Sequence, residues 1–185
     1  MQDNPGVIGV VLAGGGSRRM GRDKALLEWQ GRPLMTSIRE RLLAAGCATV
    51  VTSRDEPGCV ADYFPGLGPL GGIHAVVRRC PAAGYLVAPV DMPLMPASLL
   101  GRLIDTGLEH GHCYYGRSFL PCYLDGGAGL EALLAQRLTR GELSLGGALR
   151  ALRARALDGG DELFFLNTNT PETWRMAHTL KEAGS

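Results

Sequence analysis

Several absences narrow what this 185-residue chain can do. No apolar run is long enough to span a bilayer, so a membrane protein is not expected. The opening MQDNPG has no basic stretch followed by an apolar one, so it does not read as a secretory signal, and a cytoplasmic location is expected. Neither sign of charge dominates. A net charge of +1 gives no bulk attraction to nucleic acid or to an anionic membrane surface. The five cysteines, Cys47, Cys59, Cys80, Cys113 and Cys122, are odd in number and form no CxxC pair. Disulfide and zinc frameworks are thereby disfavoured, and buried free thiols are expected. His110 and His112 lie close together with no third ligand near in sequence, which reads as an exposed turn. There is no GxSxG and no HExxH, so covalent catalysis from a nucleophile motif is not expected. No repeat, low-complexity tract or linker marks a boundary, and residues 1–185 read as one domain.

Apolar residues make up 45% of the chain, enough for a soluble core. Strand and helix signals alternate, which predicts an α/β layered fold with a mostly parallel sheet. Val7 to Leu12 is a continuous apolar run, as in a strand buried on both faces. Pro33 opens a helix in which Leu34, Ile38, Leu42 and Leu43 follow helical spacing, and Gly46 fits its end. Ala48 to Thr52 reads as the second strand, and residues 54–69 as a Pro- and Gly-rich loop before a short helix. Tyr85 to Val90 is another buried strand. Ala97 to Glu109 reads as a helix with Leu99, Leu100, Leu103, Ile104 and Leu108 toward the core. Phe119 to Leu124 reads as a strand whose Pro121 puts it at an edge or a bulge. Helices are expected over Leu130–Leu138 and Glu142–Leu152, and a short strand over Leu163–Leu166. Thr170 and Pro171 suit the start of a last helix.

The run VVLAGGGSRRMGRDK, Val10 to Lys24, carries the most chemistry. An apolar strand entering glycines lets the backbone turn sharply and approach a ligand closely. Bare N–H groups can then face phosphate oxygens, and Arg18, Arg19 and Lys24 supply the charge a triphosphate needs. The run is neither a Walker A loop, since no GK[ST] follows, nor a GxGxxG fingerprint, since Arg19 stands at the third glycine.

Three further segments add to it. In APVDMP, Ala88 to Pro93, Asp91 follows an apolar strand between prolines that stiffen the chain. A carboxylate beyond a strand end, facing a triphosphate, suits Mg²⁺; alone it would equally suit a turn or a cap. GPLGG, Gly68 to Gly72, offers small residues against which a flat base can lie, ahead of a helix N-terminus. NTNTPE, Asn167 to Glu172, places two amides beside an expected strand end, with Thr170 as a cap. Together these residues suit phosphoryl-group chemistry, where positioning and charge neutralisation dominate.

In this order the four segments resemble the molybdenum cofactor guanylyltransferase family. The pattern LAGGxSRRMGxDKxLL is matched by Leu12 to Leu27, GPLxG by Gly68 to Gly72, DxP by Asp91 to Pro93, and NxNTPE by Asn167 to Glu172. The resemblance spans nearly the whole chain. It implies a three-layer α/β/α, Rossmann-like nucleotide-diphospho-sugar transferase fold with a mostly parallel central sheet. It also implies transfer of GMP from GTP to the terminal phosphate of molybdopterin, with release of pyrophosphate. By the same resemblance the nucleotide would meet Leu12, Ala13, Gly14, Gly15, Lys24, Asp62, Gly68, Gly72, Asp91, Asn167 and Asn169. Arg19, Lys24 and Asp91 would act in catalysis, and Asp91 would hold Mg²⁺. The family often has an asparagine just after the second strand; this chain has Thr52 and Ser53 there, and Thr52 is assigned to the nucleotide. The expected partners are GTP and molybdopterin, with transient contact to other cofactor-biosynthesis proteins or to molybdoenzyme targets.

Rival readings are a cytidylyltransferase, another nucleotide:phosphate transferase, and a non-catalytic cofactor carrier. The first typically has LAAG where this chain has Leu12-Ala13-Gly14-Gly15. Arg137, Arg140, Arg150, Arg153 and Arg155 read as solvated helix faces, with contact to an acidic partner or to the pterin phosphate as the sharper alternative.

Overall fold

The computed structural model describes residues 6–14, 25, 27–63 and 65–183. A six-stranded sheet forms the middle layer. Its strands are β1 (Val7–Leu12), β4 (Thr49–Ser53), β5 (Gly84–Pro89), β6 (Cys113–Tyr115), β7 (Ser118–Asp125) and β8 (Arg155–Leu157). A separate two-stranded hairpin joins β2 (Glu28–Trp29) to β3 (Arg32–Pro33). The helices are α1 (Leu34–Ala44), α2 (Pro69–Arg79), α3 (Ala97–His110), α4 (Leu130–Thr139), α5 (Leu145–Ala151) and α6 (Pro171–Ala183).

The strand order is β4-β1-β5-β7-β6-β8. Pairings β1–β4, β1–β5 and β6–β8 are parallel, while β7 runs antiparallel to both its neighbours. The expected mostly parallel sheet is therefore present, with β7 as the reversed strand.

Alternation along each strand builds two cores. Val7 and Val11 face one side with Leu86, Ala88 and Tyr123, where Leu34, Ile38, Leu42, Leu100 and Leu103 of α1 and α3 cover them. Ile8, Val10 and Leu12 face the other side with Tyr85, Val87 and Leu124. There Leu70, Ile73 and Val76 of α2, Leu130 and Leu134 of α4, and Leu149 of α5 close the layer. This two-faced burial is why β1 and β5 read as unbroken apolar runs. Tyr123 is fully buried, and a Cβ would collide with its hydroxyl end if placed at Gly84 and with its ring if placed at Gly107. Those two glycines admit the ring between β5 and α3.

Local signals account for most element ends. Gly46 stops α1 at φ +107, and the N–H groups of Gly46 and Cys47 bond back to Leu43 and Leu42. Gln30 (φ 53) and Gly31 (φ 75) turn the β2–β3 hairpin in the left-handed region. The hairpin's Trp29 is buried against α6, its ring 5.7 Å from Trp174 and 4.6 Å from His178.

Several sequence expectations are corrected. Leu163–Leu166 is no strand: Asp161 caps a 3-10 turn, Glu162–Phe165, and the outer sheet position is filled by β8. For Pro121, expected at an edge or a bulge, the bulge is what is found, in an interior strand. The β6–β7 register passes from Tyr114↔Cys122 to Tyr115↔Ser118, and the β5 ladder stops at Cys122, so Pro121 owes neither ladder a donor. The helix expected from Glu142 starts at Leu145, because Ser144 caps it through the Gly147 N–H and Glu142 pairs with Arg137 instead. Leu43 and Leu108, given helical spacing or a core side, are exposed. Cys47, Cys113 and Cys122 are buried free thiols as expected, but Cys59 and Cys80 are only half-buried.

Candidate active site

A cleft of about 900 Å³ opens along the carboxyl ends of β4, β1 and β5 and the amino end of β7. Ligands of open α/β sheets gather at this kind of edge. Leu12, Ala13 and Gly14 line it where β1 ends. Ala13 N–H donates to the Ser53 carbonyl (3.2 Å), and Val90 N–H donates to the Leu12 carbonyl (3.2 Å), so three strand ends are tied into one floor. Gly15, Arg19 and Lys24 lie outside the described residues.

At the β4 end the loop folds back on its own strand. Val60 N–H donates to Thr52 (2.9 Å), and Arg54 N–H donates to Val60 (3.0 Å). That return brings Asp62 beside Ser53, whose Oγ donates to Asp62 Oδ1 at 3.2 Å. Burial pushes the Asp62 carboxyl above the usual carboxylate range; the Ser53 hydroxyl pulls it back in part. Gly68 precedes α2 at φ +70, and Gly72 sits in the first turn against this pair. A Cβ on Gly72 would collide with Ser53 Oγ and lie 3.2 Å from Asp62 Oδ1. Ser53, Asp62, Gly68 and Gly72 all line the cleft.

Thr52 is not brought to it. Its side chain is buried, and the cleft wall at this strand end is Ser53. The sequence reading ends the strand at Thr52, whereas β4 runs through Ser53, so the residue that reaches the cleft stands one position later.

Asp91 follows β5 at the middle of the cleft, next to Val90 and Met92. The segment after the 3-10 turn is clamped onto it. Thr168, 1% exposed, donates from both N–H (2.8 Å) and Oγ1 (3.1 Å) to the Asp91 carbonyl. Asn167 and Asn169 on either side of Thr168 line the cleft with Asp91. Asn167 Oδ1 is buried with no hydrogen-bond partner among the described residues. Thr170 accepts from Thr173 N–H (3.2 Å), and Pro171 starts α6. The Thr168 clamp had no signal of its own in the sequence, where it reads as the middle of Asn-Thr-Asn.

The wall opposite Asp62 comes from Ser118, Phe119 and Leu120 of β7, with Leu145 of α5. Sequence reasoning gave these residues no part in the site; Pro121 was the one hint, since a bulge re-aims the side chains beside it.

The remaining candidates lie elsewhere. No group of three His, Cys, Asp or Glu able to hold a metal occurs among the described residues. His110 is exposed, whereas His112 is half-buried, with Nδ1 accepting from Asp125 N–H (3.1 Å). Burial raises the Cys47 thiol to about 12 and Cys113 to about 11, which leaves neither a ready nucleophile. Arg140, Arg150, Arg153 and Arg155 are exposed, and Arg153 and Arg155 lie beyond α5 rather than on a helix face. Arg137 is half-buried and paired with Glu142 at 2.9 Å.

A molybdenum cofactor guanylyltransferase of Xanthomonas euvesicatoria pv. vesicatoria is 40% identical, over 92% of this chain and 94% of that protein. One from Cereibacter sphaeroides is 38% identical, over 94% of this chain and 96% of that protein. Among solved structures, molybdopterin-guanine dinucleotide biosynthesis protein A from Archaeoglobus fulgidus superposes with a TM-score of 0.78 at 20% identity. That superposition covers 95% of this chain and 99% of the other, and it places the architecture among Rossmann-like nucleotidyltransferase folds. Residues 9–154 match the family described as the MobA-like NTP transferase domain, and the chain belongs to that family.

Proposed function

We propose that this protein transfers GMP from GTP to the terminal phosphate of molybdopterin, releasing pyrophosphate and forming the guanine dinucleotide. The observation that carries the reading is one cleft in which the β1 end at Ala13 and Gly14, Asp62, Asp91 and both asparagines of the Asn167–Asn169 segment converge. The names of its relatives point to the same substrates.

Each end of the cleft suits part of this reaction. The Watson–Crick edge of guanine offers adjacent N–H donors, and a carboxylate such as Asp62 can accept them. Gly72 keeps the floor there free of side chain, so a planar base can approach. The obstacle to transfer is repulsion between an anionic acceptor phosphate and an anionic α-phosphate. Arg19, assigned for its charge beside the glycine run, and Lys24, assigned by resemblance, would screen it. No general base is required, because the nucleophile is already an anion.

The site residues suit Mg²⁺. Asp91 offers a hard oxygen donor, and the orphaned Asn167 Oδ1 offers a second oxygen for the ion or its water. Magnesium commonly takes one or two carboxylates and completes its shell with water and substrate phosphate. When bound it would supply charge neutralisation to the leaving pyrophosphate. Thr168 would hold the Asp91 backbone in place for that task. The reading keeps the cytoplasmic placement expected from the sequence; no described helix is long and apolar enough to cross a membrane.

The test is pyrophosphate release with molybdenum-loaded molybdopterin and Mg²⁺, comparing GTP, CTP and ATP. Release with GTP alone is expected, and it should stop with EDTA. Release with CTP would assign the cytidylyl reaction; GTP binding with no release would assign a carrier.

A further inference from the structure

Phe119 is exposed by 45%, unusual for a large aromatic, yet it is not loose. The far edge of its ring rests on Gly146, where a Cβ would lie 2.6 Å from Cζ. Its ring centroid is 5.6 Å from that of Tyr114. It sits in the bulge between Ser118 and Cys122, where β7 leaves both ladders, and it is the one aromatic side chain among the described residues lining the cleft. A bulge re-aims side chains, and here it directs an apolar platform into the cleft wall.

The strand order gives this platform a place. Asp62 lies at the β4 end, Asp91 follows β5, and Phe119 stands on β7, so Asp91 separates the other two along the edge. Three strand spacings set β4 and β7 about 14 Å apart. The reaction proposed above brings two flat heterocycles, a guanine and a pterin, to one reacting phosphate, and each ring needs its own place along the edge. A base held by Asp62 leaves the β7 side for the acceptor's ring system. Leu120 and Leu145 make that end apolar, whereas the Asp62 end is polar. From this geometry we propose that Phe119 is the stacking platform for the pterin ring of molybdopterin and thereby sets acceptor selectivity.

The proposal rests on the guanylyl-transfer reading, and its test keeps the two apart. Phe119→Leu fills the space against Gly146 but removes the π face; Phe119→Tyr retains it. Steady-state pyrophosphate release is measured with GTP and molybdenum-loaded molybdopterin varied separately. Equilibrium binding of that molybdopterin is measured without nucleotide. Phe119→Leu is expected to raise KM and Kd for molybdopterin about tenfold, a common loss when a stacking aromatic is removed. KM for GTP should stay within about twofold, and Phe119→Tyr should restore the acceptor values. If the wild-type protein binds molybdopterin and Phe119→Leu binds it equally tightly, the platform is overturned whatever the turnover shows. A parallel rise in both KM values with a lowered Tm would also overturn it, since that is plain packing loss. Wild-type protein that neither binds molybdopterin nor turns over would overturn both the platform and the reaction.

Discussion

The two halves of the sheet do different work at the same edge. In the half made of β4, β1 and β5 the ladders are parallel and unbroken. The loops that leave it are held by hydrogen bonds between polar groups, Ser53 to Asp62 and Thr168 to Asp91. In the half made of β7, β6 and β8 the direction reverses, β6 and β8 have three residues each, and a bulge opens β7. What it presents to the cleft is chiefly apolar: Phe119, Leu120 and Leu145. A continuous ladder positions charged and hydrogen-bonding groups, whereas an interrupted one frees a side chain to become a wall.

The hardest way to break this contrast is at its seam. Asp91→Ala is expected to lower the rate of pyrophosphate release by roughly 10²-fold or more while leaving the melting temperature nearly unchanged, as for loss of one preorganised electrostatic group. A near-normal rate would remove Asp91 from the reaction. The next effect belongs to the polar half. In Gly72→Ala the new methyl must drive the Ser53 hydroxyl off Asp62. A lost hydrogen bond to a charged group predicts a KM for GTP raised about tenfold, with the molybdopterin KM unmoved. If both values moved together, the two ends of the cleft would not be independent.

Smaller changes sharpen the picture. Thr168→Val keeps the backbone bond to Asp91 and deletes the hydroxyl one, for a stability loss of about 1 kcal/mol by denaturant titration. It should also raise the Mg²⁺ concentration needed for half-maximal rate; Thr168→Ser should revert both. The smallest effect is on pH dependence. Burial raises the Asp62 carboxyl, so the fold favours its protonated form. Its stabilising contribution is complete below the ordinary aspartate range and is lost as pH rises through the elevated native value. Asp62→Asn should therefore melt slightly higher than wild type at neutral pH, and the gap should close on acidification, whatever the change costs in GTP binding. A gap independent of pH would show that the carboxyl is not strained by burial.

The same contrast governs how far the sequence could be read. Strands buried on both faces announce themselves as apolar runs, so β1 and β5 are evident, and the motifs at their ends are legible as candidates for one ligand edge. Asp91 follows β5 as its motif leads one to expect, and Asp62, assigned by resemblance alone, lines the same cleft. The other half gave little. Three-residue strands such as Cys113–Tyr115 and Arg155–Leu157 are too short for a period to show. Leu163–Leu166 is apolar enough for a strand, but Asp161 supplies a cap that commits it to a turn. Thr168 and Ser53 act through contacts to residues 77 and 9 positions away, and only the folded chain shows such pairings.

The stack of Trp29 on Trp174 and His178 has a practical side. The chain has two tryptophans, and both stand in this one contact. Its tryptophan emission therefore comes from a single joint, between the β2–β3 hairpin and α6. Trp174 lies about one helical turn from Pro171, which is itself part of the cleft wall. The expected consequence is that a ligand seated on the Asn169–Pro171 end changes this emission on titration, which would make cleft occupancy readable without a label.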